Sequence, residues 1–120
     1  MTNEVFIVSG ARTPIGSFMG NLSSFSAPEL AAAAIQKTLD TSSVEADQID
    51  EVLIGNVVSA GLKQAPARQA MRLAGIPDGC GATTINKVCG SGMKATMLAF
   101  DLIRSGSAET VLSGGMESMS

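Results

Sequence analysis

The chain has 120 residues, of which 45% are apolar and 16% charged, and it carries a formal net charge of -3. This composition excludes a disordered chain and allows one modest domain with a core of its own. Lys and Arg form no cluster that could bind nucleic acid, and no window reaches the ~20 apolar residues that a membrane span needs.

The first predicted elements are a strand and a helix. Val5–Val8 is a short apolar run without alternation, which predicts a strand covered on both faces. Ser26 stands three residues before Glu29, with Pro28 between them, and this pattern is a capping box with a proline in the first helical turn. Apolar residues then recur at helical spacing as far as Leu39, so a helix is expected there.

The rest of the chain continues to alternate between strand and helix patterns. The further elements, in chain order, are a brief helical turn within 42–48, a strand at 52–54, a loop at 57–64, a helix at 66–74, a strand at 83–86, a helix at 90–103 and a strand at 109–112. The helix at 90–103 is apolar on nearly every side, which predicts a buried helix that needs cover from outside this domain. Gly114–Gly115 is expected to form a sharp turn. The order predicts an α/β fold with a mainly parallel sheet and right-handed crossovers.

Cys89 is the candidate for chemistry, because it stands between a predicted strand and a predicted helix. Backbone N–H groups and the positive end of the helix dipole converge at a helix start, and they favour the nucleophilic thiolate over the thiol. Gly90 and Gly92 leave room for a substrate carbonyl, and the Cys89 amide itself could hold the oxygen of a tetrahedral intermediate. A lone cysteine in an apolar chain is more often a small core residue, and that interpretation is favoured for Cys80.

Other residues carry less functional signal. The chain contains no histidine, the usual partner of a nucleophilic cysteine. The segment from Ser9 to Gly16 follows a predicted strand but matches no phosphate-loop spacing, so Arg12 is expected to be a structural donor. No metal-ligand spacing is present, and we expect no metal. The N-terminus, Met1–Glu4, lacks the pattern of a signal peptide, so two reduced cysteines and a cytoplasmic location are expected.

Four segments together resemble the thiolase family. The stretch around Cys89 reads Asn-x-x-Cys-Gly-Ser-Gly, like the thiolase active-site motif. The other three segments, in the family's order, are Ala11–Pro14, Pro66–Ala70 and Gly114–Ser120. The resemblance implies a layered α/β fold of two similar halves, with a mixed sheet and a buried helix that carries the cysteine. It also implies that residues 1–120 are part of an N-terminal domain whose C-terminal half is absent.

The resemblance further implies an acyl-CoA C-acyltransferase that joins or cleaves 3-ketoacyl thioesters of coenzyme A. Cys89 would accept the acyl group, with acyl-CoA and CoA as substrates and without a metal or redox cofactor. The family's other catalytic residues, an asparagine, a histidine and an acid–base cysteine, lie in motifs of the C-terminal half, and Cys80 does not match that second cysteine. Thr96 stands where the family usually has an aliphatic residue. The complete protein is expected to be a homo-oligomer, a dimer or a tetramer.

Three interpretations remain open from the sequence. The first is a thiolase segment that is inactive or nearly inactive alone, because it lacks a histidine. The second is a related condensing enzyme of the ketoacyl-synthase type, which also acylates a cysteine. The third is a non-catalytic assembly subunit that pairs with a separately made C-terminal half.

Overall fold

The computed structural model describes residues 3–120; Met1 and Thr2, which begin the N-terminus considered above, lie outside this range. The elements in chain order are α1 (Ala27–Ser42), a 3₁₀ turn (Ala46–Gln48), β1 (Glu51–Gly55), α2 (Pro66–Leu73), β2 (Gly81–Ile85), α3 (Ser91–Arg104) and β3 (Val111–Gly115). The prediction of an α/β fold is therefore confirmed.

The three strands form one parallel sheet in the order β2-β1-β3. Because β1 is central, its residues Val52, Leu53 and Ile54 are all buried. The register aligns the last residue of β1, Gly55, with Ile85 of β2 and Gly115 of β3. All three strands thus end at the same edge of the sheet, and the loops that follow them meet there.

The helices form a layer on each side of the sheet. Val52 and Ile54 point to one face, where they pack in the main core with α1 and α2. Leu53 points to the opposite face and packs against Ala95 and Ala99 of α3. This alternation follows from the period of two along a strand, and it explains why three consecutive residues of β1, Val52, Leu53 and Ile54, are all apolar.

Short sequence patterns correctly predicted where helices α1 and α2 lie. At the start of α1, the Glu29 amide donates to the Ser26 hydroxyl (3.3 Å), and the Ser26 amide donates to the Glu29 carboxylate (3.0 Å). The hydrogen bond from the Ser26 backbone amide, and to a lesser extent the Ser26 hydroxyl, lower the pKa of the Glu29 carboxyl. Helix α2 begins at Pro66 and is followed by Gly75, whose φ of +89° ends the helical path.

The predicted strand at Val5–Val8 is wrong. These residues have no assigned strand; Ile7 is 89% exposed, and Phe6 and Val8 are also exposed. The segment borders a cleft beside β3 but forms no ladder with it. A strand exists only through a partner, and among residues 3–120 this run has neither a paired neighbour nor cover on both faces.

One further expectation needs correction: Gly114–Gly115 is not a turn but the end of β3. Helix α3, by contrast, is covered on one side only, as expected of a helix that needs cover from outside this domain. Its small residues face the sheet, whereas Met93 (71% exposed) and Met97 lie on the open side. One sheet can cover only one face of a helix, so the apolar open side is left without cover within residues 3–120. No helix in this part of the chain is long and apolar enough to cross a membrane.

Candidate active site

Cys89 lies in the tight turn that joins β2 to α3, at the edge where the parallel strands end. Its side chain is a free thiol and is exposed. The residue that follows, Gly90, is the N-cap of α3, so the thiol stands at the helix start, as predicted. In open α/β sheets this edge, beyond the carboxyl ends of the strands, is where ligands bind.

Side chains on both flanks of Cys89 fix the turn. The Asn86 Oδ1 accepts a hydrogen bond from the Val88 amide (3.0 Å), which closes a local turn before the cysteine. The Ser91 hydroxyl accepts from the Lys87 amide (2.8 Å) and donates to the Val88 carbonyl (2.6 Å). Ser91 is buried, and its hydroxyl therefore works as an internal brace rather than a surface group.

The turn also holds a strained backbone. Val88 has a φ of +48°, in the left-handed region that a β-branched residue rarely adopts. Such a conformation costs of order 1–2 kcal/mol and persists only where the surrounding structure imposes it. The residue just before the cysteine is thus held in place by the hydrogen bonds of Asn86 and Ser91.

Glycines allow the start of α3 to sit directly on the ends of the strands. A methyl group on Gly55 would lie 2.5 Å from the Ser91 carbonyl carbon and 2.7 Å from the Gly92 nitrogen. A methyl group on Gly115 would lie 3.3 Å from the Gly92 Cα. The absence of side chains here, and not a turn, explains the glycine at position 115. The Cys89 turn is seated on β1 and β3 by close backbone contact.

A second polar cluster at the same edge was missed from the sequence. Asn56 follows β1 and is 2% exposed, and its Nδ2 donates to the Met116 carbonyl and to the Glu117 carboxylate (both 3.1 Å). Glu117 also accepts from the backbone amides of Val57 and Val58, the latter at 2.7 Å. Some 60 residues separate the two sides of this cluster, so no local pattern could have indicated it.

Cys80 is not part of this turn. It is a buried free thiol in the main core, and its Sγ donates to the Gly81 carbonyl (3.4 Å). Burial raises the pKa of the Cys80 thiol, and the charges of Glu51 and Asp50 act in the same direction. A buried thiol that resists ionisation is a packing residue, which agrees with the interpretation favoured from the sequence.

Arg12 and the two lysines that flank Cys89 contribute little to the site geometry. Lys87 is exposed and Lys94 is half-buried, and Arg12 donates to the carbonyl of its neighbour Thr13 (3.2 Å). A cavity of about 260 Å³ between residues 9–13, α1 and the end of β3 does not include Cys89. Within residues 3–120, no group of three or more His, Cys, Asp or Glu side chains is placed to hold a metal ion.

Comparison with known proteins yields a consistent family. Residues 5–120 match the thiolase N-terminal domain. The chain is 50% identical over 117 residues to an acetyl-CoA acetyltransferase of Pseudomonas aeruginosa, covering 98% of this chain and 30% of that protein. It is 51% identical over 118 residues to a mitochondrial acetyl-CoA acetyltransferase of Danio rerio, covering 98% of this chain and 28% of that protein.

A solved structure is similar as well. The Acat5 thiolase of Ascaris suum, determined in complex with coenzyme A, superimposes with a TM-score of 0.90 at 39% sequence identity. The match covers 92% of this chain and 29% of that one. The chain therefore spans less than a third of the length of these similar proteins.

Proposed function

The chain belongs to the thiolase family, and from this premise we propose that Cys89 is the nucleophile of an acyl-CoA C-acyltransferase. The observation that supports this proposal most directly is the exposed thiol at the start of α3, in the segment of the chain that matches the thiolase N-terminal domain. Residues 1–120 then form part of a thiolase N-terminal domain. The coenzyme A bound to the similar Ascaris suum thiolase supports CoA thioesters as the substrates.

The proposed first step is acyl transfer to sulfur. The Cys89 thiolate attacks the carbonyl carbon of an acyl-CoA, a new C–S bond forms, and the bond from that carbon to the CoA sulfur breaks. CoA leaves as a thiolate and takes up a proton. In the second step of the condensing direction the α-carbon of a second acyl-CoA loses a proton and attacks the acyl-cysteine carbonyl, so that a C–C bond forms and the C–S bond to Cys89 breaks. In the degradative direction Cys89 attacks the 3-keto carbon of a 3-ketoacyl-CoA, the C–C bond to the α-carbon breaks, and the released carbanion takes up a proton to leave as a shorter acyl-CoA. Free CoA then accepts the acyl group from Cys89. Both steps exchange bonds among carbon, sulfur and protons, so we expect neither a metal nor a redox cofactor.

The Cys89 turn can assist the first step through its backbone. The carbonyl oxygen becomes negatively charged as the thiolate attacks, and N–H groups at a helix start can stabilise that charge. We assign the Cys89 amide as one such donor. Gly90 and Gly92, which lack side chains, leave the approach to this amide open.

The catalytic set within this chain is incomplete, since it contains no histidine to accept or return a proton. We therefore expect the 120-residue chain to be inactive or nearly inactive alone. The test is acetoacetyl-CoA cleavage by the isolated chain. Turnover at the rate of a full-length thiolase would contradict this expectation.

Acylation itself can be tested separately from turnover. The chain is mixed with acetyl-CoA and analysed by mass spectrometry, with Cys89→Ser and Cys80→Ser as paired variants. We expect a weak acetyl adduct on the wild type and on Cys80→Ser, and none on Cys89→Ser. An adduct that survives in Cys89→Ser would place the nucleophile elsewhere.

The open side of α3 favours a second function alongside the first, namely assembly with a partner. Met93, Met97 and Phe100 form an exposed apolar face next to the site. A separately made C-terminal half, or further copies in a dimer or tetramer, would cover it. Co-expression with a histidine-bearing C-terminal half, followed by the cleavage assay, distinguishes an enzyme segment from a non-catalytic subunit. Testing carrier-protein thioesters against CoA thioesters distinguishes a ketoacyl-synthase-type enzyme.

The compartment also stays a prediction. The similar proteins include a bacterial one and a mitochondrial one. We propose the cytoplasm because both cysteines are free thiols, and fractionation of the source cells would test it.

A further inference from the structure

Glu117 binds the loop that leaves β1, although it comes from the segment after β3. One carboxylate accepts the backbone amides of Val57 and Val58 and the side-chain amide of Asn56. Hydrogen bonds to a charged acceptor are roughly twice as strong as neutral ones. The Glu117 carboxylate therefore ties all three residues of the loop at 56–58 to the segment that follows β3.

The side-chain amide of Asn56 uses its nitrogen to donate hydrogen bonds, but its oxygen accepts none. Its Nδ2 serves Met116 and Glu117, whereas its Oδ1 is buried and has no hydrogen-bond donor among residues 3–120. Rotating the amide would turn its oxygen toward two acceptors, so the orientation is fixed by its partners. A buried acceptor without a partner costs about 1–3 kcal/mol. The fold tolerates that cost to keep the donors where they are.

The loop held by Glu117 is also the platform of the Cys89 turn. The Asn56 amide donates to the carbonyl of Ile85 (3.0 Å), the last residue of β2 before the turn begins. Gly55, one residue earlier, makes the close backbone contact with Ser91 described above. Ser91 in turn braces Val88, the strained residue next to Cys89. A continuous set of contacts thus runs from Glu117 to the turn.

We infer that Glu117 and Asn56 are positioning residues for Cys89: they fix the platform on which the strained turn rests, without touching the sulfur themselves. This inference extends the proposed function, because it assigns a role toward the same nucleophile. When the platform loosens, Val88 relaxes from the left-handed region, and the helix-start amides no longer converge on the thiol. Cys89 then reacts more slowly.

The chain supplies a matched control at the other end of the same sheet. The Asp50 carboxylate accepts the backbone amides of Glu109 (2.8 Å) and Thr110 (3.0 Å), and thus ties the start of β1 to the segment before β3. Asp50 and Glu117 bind backbone amides in the same manner and bridge the same two strands. Only Glu117 lies at the end where the cysteine turn sits.

The two cysteines report on two properties in one experiment: the geometry of the Cys89 turn and the stability of the core. Iodoacetamide is added to the folded chain, and the modification of each cysteine is followed by peptide mass spectrometry. Cys89 is exposed and reports on the turn; Cys80 is buried and reacts only when the core opens. The variants are Glu117→Ala, Glu117→Gln and Asp50→Asn.

We expect Glu117→Ala to slow Cys89 modification about two- to fivefold, the size of the effect of a helix N-terminus on a charged group. Glu117→Gln keeps one acceptor oxygen and should slow it less. Asp50→Asn should leave the Cys89 rate unchanged, and Cys80 should stay protected throughout. Removing a negative charge would by itself make the surroundings more favourable for an anionic nucleophile and would speed the reaction, so slower modification identifies a loss of turn geometry rather than the loss of the Glu117 charge.

Three results would overturn the inference. The first is an unchanged or faster Cys89 rate in Glu117→Ala. The second is equal slowing in Asp50→Asn. The third is exposure of Cys80 in both Glu117 variants, which would make Glu117 a residue of general stability. Iodoacetamide needs no acyl-CoA chemistry, so a missing acetyl adduct on the wild type would refute the proposed function while leaving this test valid.

Discussion

Replacing Gly55 with alanine probes the contact that seats the Cys89 turn on the sheet. The added methyl would lie 2.5 Å from the Ser91 carbonyl carbon, 2.6 Å from its Cβ and 2.7 Å from the Gly92 nitrogen. Ordinary contacts between carbon atoms are about 3.5–4.0 Å, so the start of α3 must move by about 1 Å. Two of the three atoms belong to the backbone, and no side-chain rotation can relieve the overlap.

The magnitude follows from two opposing effects. Overpacking of this kind costs about 1–3 kcal/mol, and a backbone clash belongs at the upper end. Alanine also restricts the unfolded chain, which returns about 0.4–1 kcal/mol. We therefore expect the free energy of unfolding to fall by about 2 kcal/mol. With a urea dependence of about 2 kcal/mol per molar, the unfolding midpoint should fall by about 1 M.

Gly114→Ala is the control for this measurement. It lies one residue before the register partner of Gly55, has no heavy atom within 4 Å of an added methyl, and does not require a positive φ. Its midpoint should be unchanged or slightly higher. If Gly55→Ala and Gly114→Ala unfold at the same urea concentration, the proposed seating of α3 on β1 is wrong.

Three further predictions concern other parts of the chain. Ser91→Ala should lower the free energy of unfolding by about 1–3 kcal/mol in urea titrations, because it removes the acceptor of the Lys87 amide and one of the two hydrogen bonds to the Val88 carbonyl. The exposed Ser24→Ala should change it by less than about 0.5 kcal/mol. Hydrogen bonds from Glu109 and Thr110 lower the pKa of Asp50, so its stabilising effect is present above about pH 4 and is lost as the pH falls through the lowered value. In Asp50→Asn this part of the fall in the free energy of unfolding at acidic pH should be absent, as measured by unfolding curves at several pH values. An unaltered pH dependence would contradict the role assigned to this carboxylate. Met93→Gln should change stability by less than about 0.5 kcal/mol, since the side chain is 71% exposed; a larger loss would mean that α3 is covered in solution.

Features that depend on neighbouring residues could be predicted from the sequence. The capping box of Ser26 and Glu29 involves atoms three residues apart, so the letters alone fix the start of α1. The place of Cys89 before α3 follows from the same kind of local signal, a β-prone run followed by glycines and a helical pattern. These two predictions were correct because they depend on interactions between residues that are close in the sequence.

Features that depend on distant partners could not be predicted. Val5–Val8 has the composition of a strand, but a strand needs a hydrogen-bonded partner strand, and the sequence does not show whether one lies beside it. Gly115 signals either a turn or a close approach, and only the position of Gly92 decides between them. The pairing of Asn56 with Glu117 joins loops that follow two different strands, and the parallel register brings them together. Such contacts can be identified only from the three-dimensional structure.

The left-handed Val88 bears on how this chain would respond to protein engineering. Glycine or asparagine tolerates a φ of +48° at little cost, so a selection for heat resistance would favour either at position 88. The same exchange would free the backbone beside the thiol to sample other shapes. Optimising for robustness and optimising for acyl transfer should therefore select different residues at position 88.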